Sequence, residues 1–365
     1  MGNRKKEKNK NCSYLCSMEN DNRVHRVWDY DFGYAFFRPY IHWAARTCYS
    51  SITVEGVERV PDAREASVLL CSNHCGTLMD ALLVLLARRE PTAFVARADI
   101  FKRPFFAHIL TNLRILPIYR RRDGEDSQQR NEAVFGNVVE CLNHGMALCI
   151  LPEGTHRPRR SLLPLKKGVF RIAQQALEEH PDRPVYVVPI GLDYHDFFHL
   201  MYPAKITFGE SMEVHGGEDL DVLTEELRCR MSTLFPCFPD DEELAAREAA
   251  LDASRRRTLR PLDYLLAIVL LPLFVQMGIL CSPMLLATAF LKRRLKDKTW
   301  VNTVRFSCKL ALTPFTVAAA LVAGFIHLPW WGALSLGMVT LYAHPVFYGL
   351  LALYRECVRQ CRSRR

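Results

Sequence analysis

The chain has 365 residues, 49% apolar and 24% charged, with a formal net charge of +9. That length suffices for one sizeable catalytic domain with an accessory region, and the positive balance points to an anionic partner, either membrane or nucleic acid. The basic clusters at 255–260, 292–298 and 359–365 border apolar runs, and no zinc-finger or aromatic RNA-binding signature is seen, which favours membrane lipid over nucleic acid as the expected partner.

Residues 1–25 are polar and basic and are expected to be a disordered N-terminus. No apolar core of a secretory signal lies there, and Lys6 stands where myristoylation of Gly2 needs Ser or Thr. Residues 26–50 mix Tyr34, Phe36, Phe37, Tyr40, Ile41 and Trp43 with Arg38, His42 and Arg46. This pattern suits an amphipathic interfacial helix, and equally a helix packed on the next domain.

From 51 to 240 short apolar runs alternate with amphipathic stretches. Strands are predicted at 51–57, 67–72, 92–96, 114–118, 147–151, 185–190 and 205–208, and helices at 78–89, 103–111, 128–143, 167–177 and 220–235. The alternation predicts an α/β domain, a mostly parallel sheet flanked by helices, with ligands at the carboxyl ends of the strands. Residues 241–260 read as a charged, helix-prone linker. Residues 261–354 form a hydrophobic membrane region, and 355–365 a basic tail. The first apolar run, 265–290, is interrupted by Pro272 and Pro283 and falls short of the roughly 40 residues that two spans need. The runs 310–327 and 331–353 form a helical hairpin around Leu328-Pro329-Trp330. If the first run re-enters, all three basic clusters share one face, as the positive-inside tendency favours.

The thirteen cysteines form no CxxC pair and Cys12/Cys16 and Cys71/Cys75 have no second ligand pair, so reduced thiols facing the cytosol are expected rather than a metal site.

Four segments carry chemistry, each at a predicted strand end. In Ser72-Asn73-His74-Cys75-Gly76-Thr77-Leu78-Met79-Asp80, a histidine can serve as general base with a carboxylate to fix its tautomer; a capped helix start explains Asn73 and Thr77 equally well. In Pro152-Glu153-Gly154-Thr155-His156, a glycine turn exposes backbone N–H groups, and Arg157, Arg159, Arg160, Lys166 and Lys167 add charge suited to an anion or simply to solvent. Arg120, Arg121 and Arg122 follow the run 114–118 and offer guanidinium forks to phosphate, or again a solvated turn. Val187-Val188-Pro189-Ile190-Gly191 is chemically silent and shapes a pocket.

In this order the segments resemble the phospholipid/glycerol acyltransferase family over residues 30–215, with Asn73-His74 and Asp80, Pro117 and Arg120, Pro152-Glu153-Gly154-Thr155, and Val188-Pro189. Leu163-Pro164-Leu165-Lys166-Lys167-Gly168 resembles a variant within it. The resemblance implies a glycerolipid acyltransferase-like catalytic domain at 51–240. His74 would deprotonate an acceptor hydroxyl and Asp80 would support it. Asn73, Arg120, Glu153, Gly154 and Thr155, with Arg157 and Lys167 as further anion contacts, would orient a glycerol-phosphate acceptor. The donor would be acyl-CoA or acyl-carrier protein, the acceptor lysophosphatidate at a membrane, with no metal or cofactor and with the catalytic domain facing the cytoplasm. Acylation of glycerol 3-phosphate, acylation of an amino-acid lipid, a thiol hydrolase using Cys75, and a non-catalytic membrane scaffold are the competing readings.

Two departures stand out. Five residues separate His74 from Asp80 where the family has four, a step that rotates about 240° on a regular helix, so the pair meets only if Gly76-Thr77 turns before the helix starts. His156 stands where the family often has Arg, leaving that role to Arg157 or Arg159.

Overall fold

The computed structural model describes residues 27–28, 32–102, 107, 110–119 and 127–363. The expectation for 1–25, most of the helix predicted at 103–111, and Arg120 lie outside the described residues.

Strand and helix alternate as the periodicity requires. In chain order the domain runs α1 (Phe32–Arg46), β1 (Ile52–Glu55), β2 (Ser67–Ser72), α2 (Leu78–Ala87), β3 (Thr92–Arg97), β4 (Ile115–Ile118), α3 (Ser127–Asn143), β5 (Ala147–Ile150), α4 (Gly168–Glu179), β6 (Val185–Tyr194), β7 (Ala204–Phe208), β8 (Met212–Val214) and α5 (Leu220–Ser232). One sheet takes the order β1-β7-β6-β2-β5-β3-β4, with β8 pairing β6 beside β7. Five pairings are parallel; β6 pairs antiparallel with both β7 and β8. The connection from β6 to β7 is too short for a crossover, so the chain turns back on itself there. β8 was not predicted: its three residues carry too short a pattern to read.

The period of two divides each central strand between two cores. Val68 and Leu70 of β2 face α1 and α2, while Leu69 and Cys71 face α3, α4 and α5. Burial of β2 on both faces explains its unbroken apolar run.

The segment read as a linker contains a helix, α6 (Leu244–Ser254), bound to the domain by charge. Glu248 accepts from the Arg160 amide at 2.5 Å, and Arg255 forks onto Asp193 at 2.6 and 2.9 Å. The apolar region follows as α7 (Pro261–Val269), α8 (Leu271–Leu280), α9 (Ser282–Lys292), α10 (Val301–His327) and α11 (Trp330–Ser363). Breaks fall at Leu270 and Cys281, each two residues before a proline in the first turn of the next helix. The axes of α7 and α8 differ by 50°. The helices within Lys298–His327 and Trp330–Arg362 are long and apolar enough to cross a membrane. They pack as a hairpin longer than the predicted runs, and Gly324 lets the backbones approach so closely that a Cβ there would lie 2.8 Å from Ala333 Cα.

This region docks onto the α/β domain. Phe306 of α10 and Tyr348 of α11 belong to the same core as α1 and α2. Lys309 is fully buried and donates to Ala44 O and Thr47 Oγ1 at the end of α1, where helix carbonyls lack partners. The C-terminal half of α1 is thus packed in the core through Ala44 and Ala45, while Phe36 and Phe37 in its first half are exposed.

Candidate active site

The loop after β2 is fixed before any reacting group is considered. Asn73 is buried and bridges to β6: its Nδ2 donates to Leu192 O at 3.0 Å and its Oδ1 accepts from Leu192 N at 2.7 Å. Glu153 after β5 accepts from His74 N at 2.7 Å and from Leu163 N at 3.0 Å. Both residues were singled out for substrate; in the structure their polar atoms brace the loops around His74.

The turn that the long spacing demands is present. Thr77 has φ 59°, and α2 starts only at Leu78. The Gly76 N–H donates to both Asp80 oxygens at 2.9 and 2.8 Å, folding the carboxylate back over the helix start. A Cβ at Gly76 would meet Asp80 Oδ1 at 2.8 Å, so this approach admits only glycine. The result is His74 Nδ1 at 2.7 Å from Asp80 Oδ2. Asp80 is fully buried and also accepts from the Tyr194 hydroxyl at 2.9 Å. With Nδ1 committed to the carboxylate, Nε2 is the ring nitrogen left for chemistry. Tyr194, at the end of β6, was not identified from the sequence; a tyrosine four residues past the Ile190 strand end carries no local signal of a partner 114 residues away.

Cys75 is buried, and its Sγ lies 3.9 Å from Asp80 Oδ1. Burial, reinforced by Asp80 and Glu153, pushes its thiol well above the ordinary range, which keeps it protonated and disfavours a thiol nucleophile.

The basic loop after β5 is largely neutralised from within. Arg157 pairs with Asp240 at 2.8 Å and Ser161 at 2.6 Å, Arg159 with Glu248 at 3.3 Å, Arg160 with Asp252 at 2.9 Å, and Lys167 with Asp221 at 2.6 Å. The side chains of Arg157 and Lys167 are thus each engaged by a carboxylate, and the Arg157 N–H donates to His74 O at 3.0 Å. Gly154, at φ 67°, and Thr155 are exposed in the intervening turn. His156 stands against His74: its ring centroid lies 5.5 Å from that of His74, edge to face. The parallel register places β4, which precedes Arg120, at the same sheet end as β2 but three strand spacings away, roughly 14 Å.

Residues 51–193 match the family model described as Acyltransferase. Glycerol-3-phosphate O-acyltransferase 1 of Saccharomyces cerevisiae is 37% identical over 81 residues, covering 22% of this chain and 11% of that protein. The 1-acyl-sn-glycerol-3-phosphate acyltransferase of Cocos nucifera is 29% identical over 124 residues, covering 34% of this chain and 37% of that protein. The chain thus matches only a minor part of each of these relatives. A crystal structure of the 1-acyl-sn-glycerophosphate (LPA) acyltransferase from Thermotoga maritima superposes with a TM-score of 0.42 at 18% identity, covering 62% of this chain and 83% of that one.

Proposed function

We infer that this chain, whose residues 51–193 form an acyltransferase-family domain, moves a fatty acyl group from a thioester to a hydroxyl of lysophosphatidate at a membrane. The observation that carries the reading is the 2.7 Å contact of His74 Nδ1 with the buried, triply held Asp80. Asp80 keeps the proton on Nδ1, so Nε2 is the basic nitrogen facing the reaction. As Nε2 takes the proton of the acceptor hydroxyl, the oxygen attacks the thioester carbonyl. The tetrahedral adduct expels the thiolate, and the proton on Nε2 passes to the departing sulfur. Donor and acceptor react directly, with no covalent enzyme intermediate. The donor is acyl-CoA or acyl-carrier protein, and Arg120 contributes a guanidinium to the acceptor phosphate.

The site lies where the chain enters the apolar region: Thr77 Oγ1 is 2.6 Å from Thr303 Oγ1, in the first turn of α10. That proximity supports a lipidic acceptor. Acylation of glycerol 3-phosphate is the second reading, favoured by the yeast relative of that name. The contacts also support a topology with the basic clusters on the cytoplasmic face. Arg255 holds Asp193, Asp297 holds His156, and Gln360 of the tail donates to Arg257 O, so all three segments stay beside the catalytic domain. Helices α7–α9 then re-enter, and only the hairpin crosses.

The test uses the purified full chain, labelled acyl-CoA and acyl-carrier protein, and glycerol 3-phosphate and lysophospholipids as acceptors. His74→Ala is expected to lower transfer at least a hundredfold while membrane association persists. Turnover near that of the wild type would end the assignment.

A further inference from the structure

The match to the acyltransferase family stops at residue 193, yet the surroundings of His74 do not. The segment joining α9 to α10 reaches back to the catalytic loop. Asp297 Oδ2 lies 2.8 Å from His156 Nε2. Trp300 also packs edge to face against the same imidazole, with centroids 5.5 Å apart. His156 thus contacts both the His74 ring and Trp300, with its side chain 16% exposed.

We propose that Asp297 is a positioning residue of the acceptor site, holding His156 so that its imidazole donates to the acceptor's phosphate beside His74. The inference rests on the acyl-transfer reading above and names a partner for the phosphate. Two observations favour it. Of the cations nearest in sequence, Arg157, Arg159, Arg160 and Lys167 are each engaged by an acidic side chain, while Lys166 is exposed beside the Gly154 turn. His156 is also held by a carboxylate, but its ring in addition stands against the His74 imidazole, with centroids 5.5 Å apart. With Nε2 on Asp297, Nδ1 is the ring nitrogen left for the acceptor phosphate, and donating to both anions at once takes a ring with a proton on each nitrogen. Asp297 is itself fixed, accepting from Thr299 N at 2.9 Å. Burial raises its carboxyl, but the Thr299 and His156 contacts outweigh this and hold it below the ordinary range, so the carboxylate is charged when it meets the imidazole. The region that follows the catalytic domain thereby completes the site as well as carrying apolar helices.

Steady-state kinetics of the full chain, varying acceptor and donor separately, test this. Asp297→Ala is expected to raise the KM for the glycerol-phosphate acceptor roughly tenfold or more, leaving kcat and the donor KM within about threefold. Asp297→Asn keeps a polar cap on Thr299 but loses the charge, and is expected to reproduce much of the acceptor effect. Adding His156→Arg to Asp297→Ala should recover acceptor binding, because a guanidinium needs no carboxylate to stay charged. An unchanged acceptor KM, a fall in kcat alone, an equal rise in both KM values, or failure of the Arg rescue would each overturn the assignment. If wild-type protein transfers acyl groups and Asp297→Ala matches it, only this inference falls. A wild type inactive on every acceptor removes the acyl-transfer reading and this inference together.

Discussion

Glu153 shows how a residue of a chemical motif can act through the backbone. It is buried, and its two oxygens are occupied by the His74 and Leu163 amides. Burial pushes its carboxyl from 4.5 to about 7, against the pull of those amides. A carboxyl raised in the folded state favours folding most when protonated. Its contribution is full below about pH 4.5 and is lost as pH rises through about 7. The apparent melting temperature of the wild type should therefore carry a downward component across that window, and Glu153→Gln should flatten it. The same variant should cost about 1–3 kcal/mol, since the new NH2 group faces one of the two amides. An unaltered pH slope would show that Glu153 does not titrate there. Asn73 follows the same logic: the side chain adjacent to His74 spends its amide on Leu192. The sequence marks these positions through their place at strand ends, but not the direction in which their polar atoms point.

At the scale of elements, the join between α1 and α10 depends on a proline. Pro314 lies inside α10 and has no N–H, so the carbonyl of Leu310 loses its helical partner. The Tyr40 hydroxyl of α1 donates to that carbonyl at 2.7 Å. Tyr40→Phe should leave the oxygen unsatisfied in apolar surroundings and lower stability by about 1–3 kcal/mol. Restoring the amide with Pro314→Ala in the same chain should return much of the loss, as read by thermal unfolding in detergent. Equal stability of Tyr40→Phe and wild type would show that the hydroxyl contributes nothing. Lys309 adds a second tie, with its ammonium on the end of α1 and over the Trp43 ring at 5.1 Å. The aromatic segment at 26–50 is legible as a helix from its side chains. That its second half is packed while Phe36 and Phe37 stay exposed follows from α10, which lies far along the chain.

At the scale of the whole molecule, the proposed topology yields a labelling test. A bilayer-impermeant thiol reagent should reach Leu295→Cys only from the side of the catalytic domain. Leu328→Cys, in the turn of the hairpin, should react from the opposite side. Reaction of both from one face would exclude a crossing hairpin beneath a re-entrant α7–α9. The sequence by itself determined the strand–helix alternation, the mostly parallel sheet with its motifs at strand ends, and the apolar region with its hairpin, because side-chain periodicity and continuous hydrophobicity are local properties of the chain. Only the tertiary structure decided which partners those motif residues keep. Arg157 meets Asp240, Asp80 meets Tyr194, and His156 meets Asp297 across 83, 114 and 141 residues. Charge pairing and hydrogen bonding act over a few ångströms, so they depend on where the fold brings distant segments together, a distance that spacing along the chain does not encode.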